Sequence, residues 1–291
     1  MKFLVMGSLN YDYIYSMDHI VKPGETTASA GMDIVCGGKG LNQSIALAKA
    51  GLRVWHAGVL GEDGELLRKT AEEYGVCCDY LSKAQGKCGH AVIQLEKSGQ
   101  NSIVLYGGSN QKFTEGYVDE VLAHFGEGDQ LLLQNEINQM PYIIQRASER
   151  GMRIIFNPAP FAPEVLTYNL DKISLFILNE VEGEQMTGSM EPEQILHRMK
   201  ERFPDAEIIL TLGEKGSVYA CAGRVVRQTA VAVEVVDTTA AGDTFTGYFL
   251  AARAKAYSVE ESLQIASQAS SAAVGRRGAV PSIPLWNEIA G

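Results

Sequence analysis

Strand-length apolar runs recur along this chain with helical stretches between them, and that alternation leaves few folds open. Phe3–Met6, Val54–Ala57, Leu131–Gln134, Arg153–Phe156, Leu175–Leu178 and Ile208–Leu212 read as strands, while Pro141–Arg150 and Pro192–Arg202 carry helical patterns. Strand, helix, strand in succession is the signature of an α/β fold: a central, mostly parallel sheet flanked by helices on both faces. Ligands of such sheets bind beyond the C-terminal strand ends, where the turns gather. Two stretches break the alternation. Tyr11–Met17 with Ala28–Val35, and His90–Leu95 with Ser102–Tyr106 around Lys97-Ser98-Gly99-Gln100, read as extended segments, the second pair as a hairpin.

Residues 237–247 hold the densest chemistry. A β-like approach, Val231–Val236, leads to Asp237-Thr238-Thr239-Ala240-Ala241-Gly242-Asp243, followed by an amphipathic run from Thr244 to Ala254. This order sets the backbone N–H groups of Ala240, Ala241 and Gly242 at a helix N-terminus, where they hold anionic oxygens, with Asp243 beside them. An anion hole next to a carboxylate suits phosphoryl transfer: the donors offset charge developing on the transferred group, and the carboxylate accepts the proton of the attacking hydroxyl. Ala-Gly-Asp at a helix start is equally an ordinary cap, so the rest of the chain decides.

A second glycine cluster, Gly37-Gly38-Lys39-Gly40-Leu41-Asn42-Gln43, follows the extended segment Met32–Cys36 and opens a helix whose Leu41, Ile45 and Ala48 recur at helical spacing. Paired glycines admit close approach of backbone to a ligand, and Lys39 and Asn42 sit one turn apart. The spacing of a Walker A loop is absent, as is a dinucleotide-binding fingerprint after the first strand.

The balance of 25 basic and 35 acidic residues, a net charge of −10, argues against nucleic-acid partners; no basic run exceeds Arg276-Arg277. A chain of 291 residues with 46% hydrophobic content buries a large core. Neither a signal peptide nor a membrane span is read, so a cytoplasmic setting is expected. Cys36, Cys77, Cys78, Cys88 and Cys221 lack zinc spacing and read as reduced thiols.

Together the two glycine segments resemble the signature motifs of the ribokinase-like (PfkB) family of carbohydrate kinases. The likeness begins at Gly7-Ser8-Leu9-Asn10-Tyr11-Asp12 and continues through Lys22-Pro23-Gly24-Glu25-Thr26, Gly61-Glu62-Asp63-Gly64, Asn157-Pro158-Ala159-Pro160 and Asn179-Glu180-Val181-Glu182. It then reaches Thr211-Leu212-Gly213-Glu214-Lys215-Gly216 and ends at Arg276-Arg277-Gly278-Ala279-Val280-Pro281-Ser282. The resemblance implies a single kinase domain over 1–291, with a small β-sheet lid formed by insertions at approximately 11–35 and 88–107. It also implies a homodimer joined through that lid.

Site roles carry over residue by residue. Asp243 becomes the general base, with Ala240, Ala241 and Gly242 as the anion hole. Asn10, Asp12, Gly38, Lys39, Asn42 and Glu136 match sugar-binding positions; taken alone, Asp12 reads equally as a turn residue and Glu136 as a solvated helix-start charge. Asn179, Thr211, Gly213 and Gly216 match nucleotide positions, and Glu182 orders Mg2+ through water, although Glu180, Glu182 and Glu184 also suit a solvated helix start. Asp237 and Thr239, with carbonyls of Ala273, Arg276, Gly278 and Ser282, match a monovalent-cation loop for K+. Ser267-Gln268, where the family often carries His, and His90, where an apolar lid residue is common, depart from the pattern.

The implied activity is transfer of the γ-phosphate of ATP to a neutral sugar, with D-ribose and its 5-hydroxyl as the leading reading. Asp12 and Glu136 would repel a sugar that already carries phosphate. A kinase of another sugar, a sugar acid or a nucleoside stays open, as does a silent sugar sensor, against which the intact Gly242 and Asp243 argue.

Overall fold

The computed structural model describes residues 1–290. In chain order the elements run β1 (Phe3–Met6), β2 (Asn10–Met17), β3 (Gly31–Gly37), α1 (Lys39–Lys49), β4 (Val54–Leu60), α2 (Glu65–Glu73), β5 (Cys77–Lys83), β6 (Gly89–Glu96), β7 (Asn101–Tyr106), α3 (Glu115–Leu122), β8 (Gln130–Gln134), α4 (Met140–Glu149), β9 (Arg153–Asn157) and β10 (Leu175–Asn179). They continue with α5 (Glu180–Thr187), α6 (Pro192–Arg202), β11 (Glu207–Thr211), β12 (Ser217–Cys221), β13 (Arg224–Gln228), α7 (Ala241–Ala254), α8 (Val259–Val274) and α9 (Trp286–Ile289).

Among the described residues, nine strands form one sheet in the order β13-β12-β11-β10-β9-β8-β1-β4-β5. It is parallel from β11 to β5 and antiparallel only where β12 and β13 close one edge. The period-two alternation of side chains divides each strand between two cores. Phe3 and Val5 of β1 pack with Leu132, Ile155, Ile177 and Ile209 under α1, α7 and α8. Leu4 and Met6 pack on the opposite face with Leu133, Phe156, Leu178 and Leu210 under α3, α4 and α6. A strand covered on both sides is apolar at most positions, which is why these runs were nearly continuous in the sequence, with buried His56 of β4 and Gln134 of β8 among the exceptions.

A second sheet, β3-β2-β6-β7, is built from the segments that broke the alternation. β2 pairs with β3 antiparallel and with β6 parallel, and β6 and β7 form a hairpin turning at Gly99, whose φ is 86°. Its ladder sets Asp12 beside Val35 on one side and Ala91 on the other.

Three local readings differ. β3 begins at Gly31, not Ala28, and α7 begins at Ala241, three residues before Thr244. Val231–Val236 is no strand: it pairs with no other strand, and its backbone is tied instead to α8 by Ser271 Oγ on the Val231 carbonyl at 2.8 Å and by Val236 N on the Val274 carbonyl at 3.0 Å. Among the described residues no helix is long and apolar enough to cross a membrane.

Candidate active site

Strand order reverses at the β1–β8 pair, since β4 and β5 continue to one side and β9 to β13 to the other. Such a switch point leaves a crevice at the C-terminal strand ends. There Gln134 closes β8 with Glu136 two residues on, Asn157 closes β9, Asn179 closes β10 and Thr211 closes β11. A cavity of 220 Å³ opens beside them, lined by Lys39, Asn179, Glu182, Thr211, Gly242 and Asp243 among others.

Two helix N-termini face this crevice. α1 starts behind Gly38 at φ 90°, and α7 starts behind Ala240 at φ 59°, a left-handed turn that costs an alanine on the order of 1 kcal/mol. The helices cross closely: a Cβ on Gly247 would collide with that of Ala46. One turn back from this contact, toward both N-termini, lie Asn42 and Asp243. Asn42 Nδ2 donates to Asp243 Oδ2 at 3.0 Å, and Gln43 Nε2 donates to Asp243 Oδ1 at 2.8 Å. Asn42 is only 6% exposed, and its Oδ1 is itself buried and without a protein partner.

The three small residues before Asp243 are not equivalent donors. Ala241 N turns back onto the Thr238 carbonyl at 3.3 Å, whereas the N–H groups of Ala240 and Gly242 meet no acceptor among the described residues. A Cβ at Gly242 would meet no protein atom within 4 Å, so glycine here leaves space in front of the donors instead of easing packing.

Opposite the cavity, Glu136 Oε2 accepts from Lys39 N at 2.8 Å and from the Ser8 hydroxyl. Asp12 lies against Gly37, where any Cβ would strike its Oδ2, and Asn10 Oδ1 accepts from Asn110 Nδ2 at 2.6 Å. Burial, reinforced by the neighbouring charges of Glu136 and Asp243, pushes the Asp12 carboxyl up to about 7. Burial likewise raises Glu136 above the usual carboxylate range, against the pull of Lys39. For Lys39 burial works against the charge, but Asp243, Glu136 and Glu182 together outweigh it and hold the ammonium above its ordinary pKa.

At the start of α5, Asn179 and Glu182 form a capping box: Glu182 N donates to Asn179 Oδ1 at 2.9 Å, and Asn179 N donates to Glu182 Oε2 at 2.8 Å. Burial raises the Glu182 carboxyl despite these donors. Each Glu182 oxygen takes one donor from Asn179 and keeps a lone pair open, which suits a water-mediated magnesium contact. Among the described residues no group of three or more His, Cys, Asp or Glu side chains is placed to hold a metal ion. Thr211 lines the cavity; Gly213 at φ 55° and Gly216 at φ 99° shape the turn beside it without lining it.

Asp237 fastens two loops, accepting Thr239 N on Oδ1 and Gly278 N on Oδ2, both at 2.9 Å. Burial opposes its ionisation, yet these donors and Arg277 hold its carboxyl below the usual range. Its free lone pairs and the carbonyls nearby are all-oxygen donors of the kind a monovalent cation takes. The Ala273 carbonyl already accepts Arg276 N at 3.0 Å, and Ser282 Oγ donates to the Ala279 carbonyl at 2.7 Å.

Sequence reasoning gave no role to Gln43, Gln134, Asn157 or Ser8. A signal existed for two of them: Gln134 and Asn157 are amides ending apolar strands, where a polar residue needs a reason. Gln43 was hidden by its neighbour Asn42, and Ser8 by a glycine-rich loop.

The chain matches the pfkB family carbohydrate kinase model over residues 2–286. It is 33% identical over 294 residues to ribokinase of Haemophilus influenzae, with 98% of this chain and 95% of that protein covered. Ribokinase of Bacillus subtilis is 32% identical over 290 residues, with 98% and 97% covered. Arabidopsis thaliana ribokinase, solved with ribose and ATP, superposes with a TM-score of 0.87 at 31% identity, covering 99% of this chain and 97% of that one. A family model that spans nearly the whole chain and relatives above 30% identity over nearly its full length show that this chain belongs to the pfkB family of carbohydrate kinases.

Proposed function

We propose that the chain transfers the γ-phosphoryl group of ATP to the 5-hydroxyl of D-ribose, giving ribose 5-phosphate and ADP. The single observation that carries this reading is Asp243, held by Asn42 Nδ2 on α1 and set beside the open N–H donors at the start of α7. Asn10, Asp12, Gly38, Lys39, Asn42 and Glu136 bind the sugar. Asp243 accepts the hydroxyl proton as the new O–P bond forms and the bond from phosphorus to the β,γ-bridging oxygen breaks. Ala240 and Gly242 N–H offset charge on the transferred group, and Ala241 shapes the turn. Asn179, Thr211, Gly213 and Gly216 serve the nucleotide.

Magnesium, ordered through water by Glu182, would neutralise phosphate charge. A potassium ion held by Asp237, Thr239 and the carbonyls of Ala273, Arg276, Gly278 and Ser282 would fix the shape of the loop ahead of α7. The body and lid act as one kinase domain in which the lid excludes water from the sugar. We further propose a cytoplasmic setting and a homodimer formed through the lid; Ile103 and Leu105 share the Asp12 face of that sheet yet are 50% and 53% exposed, apolar area that a second copy would cover.

The test is coupled ADP release with Mg-ATP and ribose, deoxyribose, fructose, fructose 6-phosphate, a keto sugar acid and adenosine, with and without potassium. Strong potassium-dependent turnover on ribose is expected. Preference for another acceptor would discard ribose and keep the mechanism. In the same assay Asp243→Asn should lose roughly 10²–10⁴-fold in kcat while ribose still binds by calorimetry.

A further inference from the structure

We propose that Gln43 is a positioning residue for the base: with Gln134 and Asn157 it forms a buried amide chain that fixes how the Asp243 carboxylate is presented to the acceptor hydroxyl. This rests on reading Asp243 as that base.

The chain is anchored at a group with one possible role. The Ile177 carbonyl can only accept, so Asn157 offers it Nδ2, at 2.8 Å, and turns Oδ1 toward Gln43. Gln43 Nε2 then gives one proton to Asn157 Oδ1 at 3.2 Å and the other to Asp243 Oδ1 at 2.8 Å. Gln43 Oε1 accepts from Gln134 Nε2 at 2.6 Å. If the Gln43 amide rotated by half a turn, Oε1 would face the Asn157 and Asp243 oxygens, and Nε2 would face the Gln134 amino group. All three contacts would become repulsive. Gln43 and Gln134 are both 0% exposed, so water cannot replace a lost partner.

Asn42 and Gln43 differ in what remains after these bonds. Asn42 holds Asp243 Oδ2 and leaves its own Oδ1 without a protein partner. Every amide proton of Gln43, and its oxygen, is engaged by protein. Gln43 therefore reaches the reaction only through Asp243, and its loss should appear in the chemical step and not in sugar binding.

The experiment compares Gln43→Met, Gln134→Met, their double variant and Asp243→Asn, with ribose and Mg-ATP turnover, ribose calorimetry and thermal unfolding. Methionine keeps length and removes the amide. Gln43→Met should lower kcat roughly 10- to 100-fold through misplacement of the base. The KM for ribose should stay within roughly threefold, since no ground-state contact is lost. Gln134→Met should act in the same direction, and the double variant should be no slower than Gln43→Met alone, because Gln134 works through Gln43. Should Gln43→Met not fold, Gln134→Met carries the same kcat-against-KM test. Wild-type kcat in the folded Gln43 or Gln134 variant, with Asp243→Asn inactive, overturns the positioning role alone. Wild-type kcat in Asp243→Asn overturns the base reading beneath it.

Discussion

Asp12 is a carboxyl caught between burial and two like charges, Glu136 and Asp243, and its pKa of about 7 gives the site a pH dependence near neutrality. Hydroxyls donating to a carboxylate favour its charged form. Ribose should therefore bind more tightly as pH rises through about 7, with proton release, and calorimetry in buffers of different ionisation enthalpy reads that proton directly. In Asp12→Asn the release should vanish and the affinity profile flatten. Stability runs the other way. Between 3.8, the ordinary value, and about 7 the folded chain binds a proton that the unfolded chain has lost, so this group's contribution falls as pH rises through that window. Asp12→Asn should accordingly melt above the parent at about pH 8 and lose that advantage by about pH 4. None of this conflict could be read from the sequence, where Asp12 was a lone acid at the start of an extended segment.

At the scale of elements, the close crossing of α1 and α7 sets the distance between base and amides. Gly247→Ala would force the helices apart at Ala46 and should cost about 1–3 kcal/mol of stability, as overpacked cores do. Because Asp243 and Asn42 lie one turn away, kcat should fall more than the melting temperature suggests. Denaturant melts and steady-state kinetics on the same preparation check both. The elements themselves were largely legible: mostly apolar runs marked six strands of the central sheet because burial on both faces leaves few polar positions. β13 and β5 were missed because edge strands interleave polar residues, as in Arg224–Gln228 and Cys77–Lys83, and β12 was missed although Ser217–Cys221 is a short buried run. Val231–Val236 was misread because alternation describes a side-chain pattern, while a strand also needs a partner for its backbone. Asp243, Gly242, Asn42 and Lys39 were legible through glycine-rich turns at helix starts. The Gln43–Gln134–Asn157 chain was not, since it joins three distant segments whose meeting only the fold creates.

For the whole molecule, the lid leaves apolar area on the face that carries Asp12. Leu105→Lys should convert a dimer to monomers in sedimentation velocity and raise the KM for ribose, because the uncovered lid would hold the sugar less well. A monomeric parent would remove the dimer from the proposal. The central sheet has a consequence of its own. Ser8 and Glu136 follow β1 and β8, Asn157 ends β9, and Asn179 and Thr211 end β10 and β11. Neighbouring strands stand about 4.8 Å apart, a spacing set by backbone hydrogen bonds alone. The spacing among these strand-borne groups is thus ruled by peptide geometry, while the groups on α1 and α7 are set by side-chain packing. A substitution at one of these strand ends therefore leaves the spacing of the others unchanged, because the ladder that sets it is made of backbone alone.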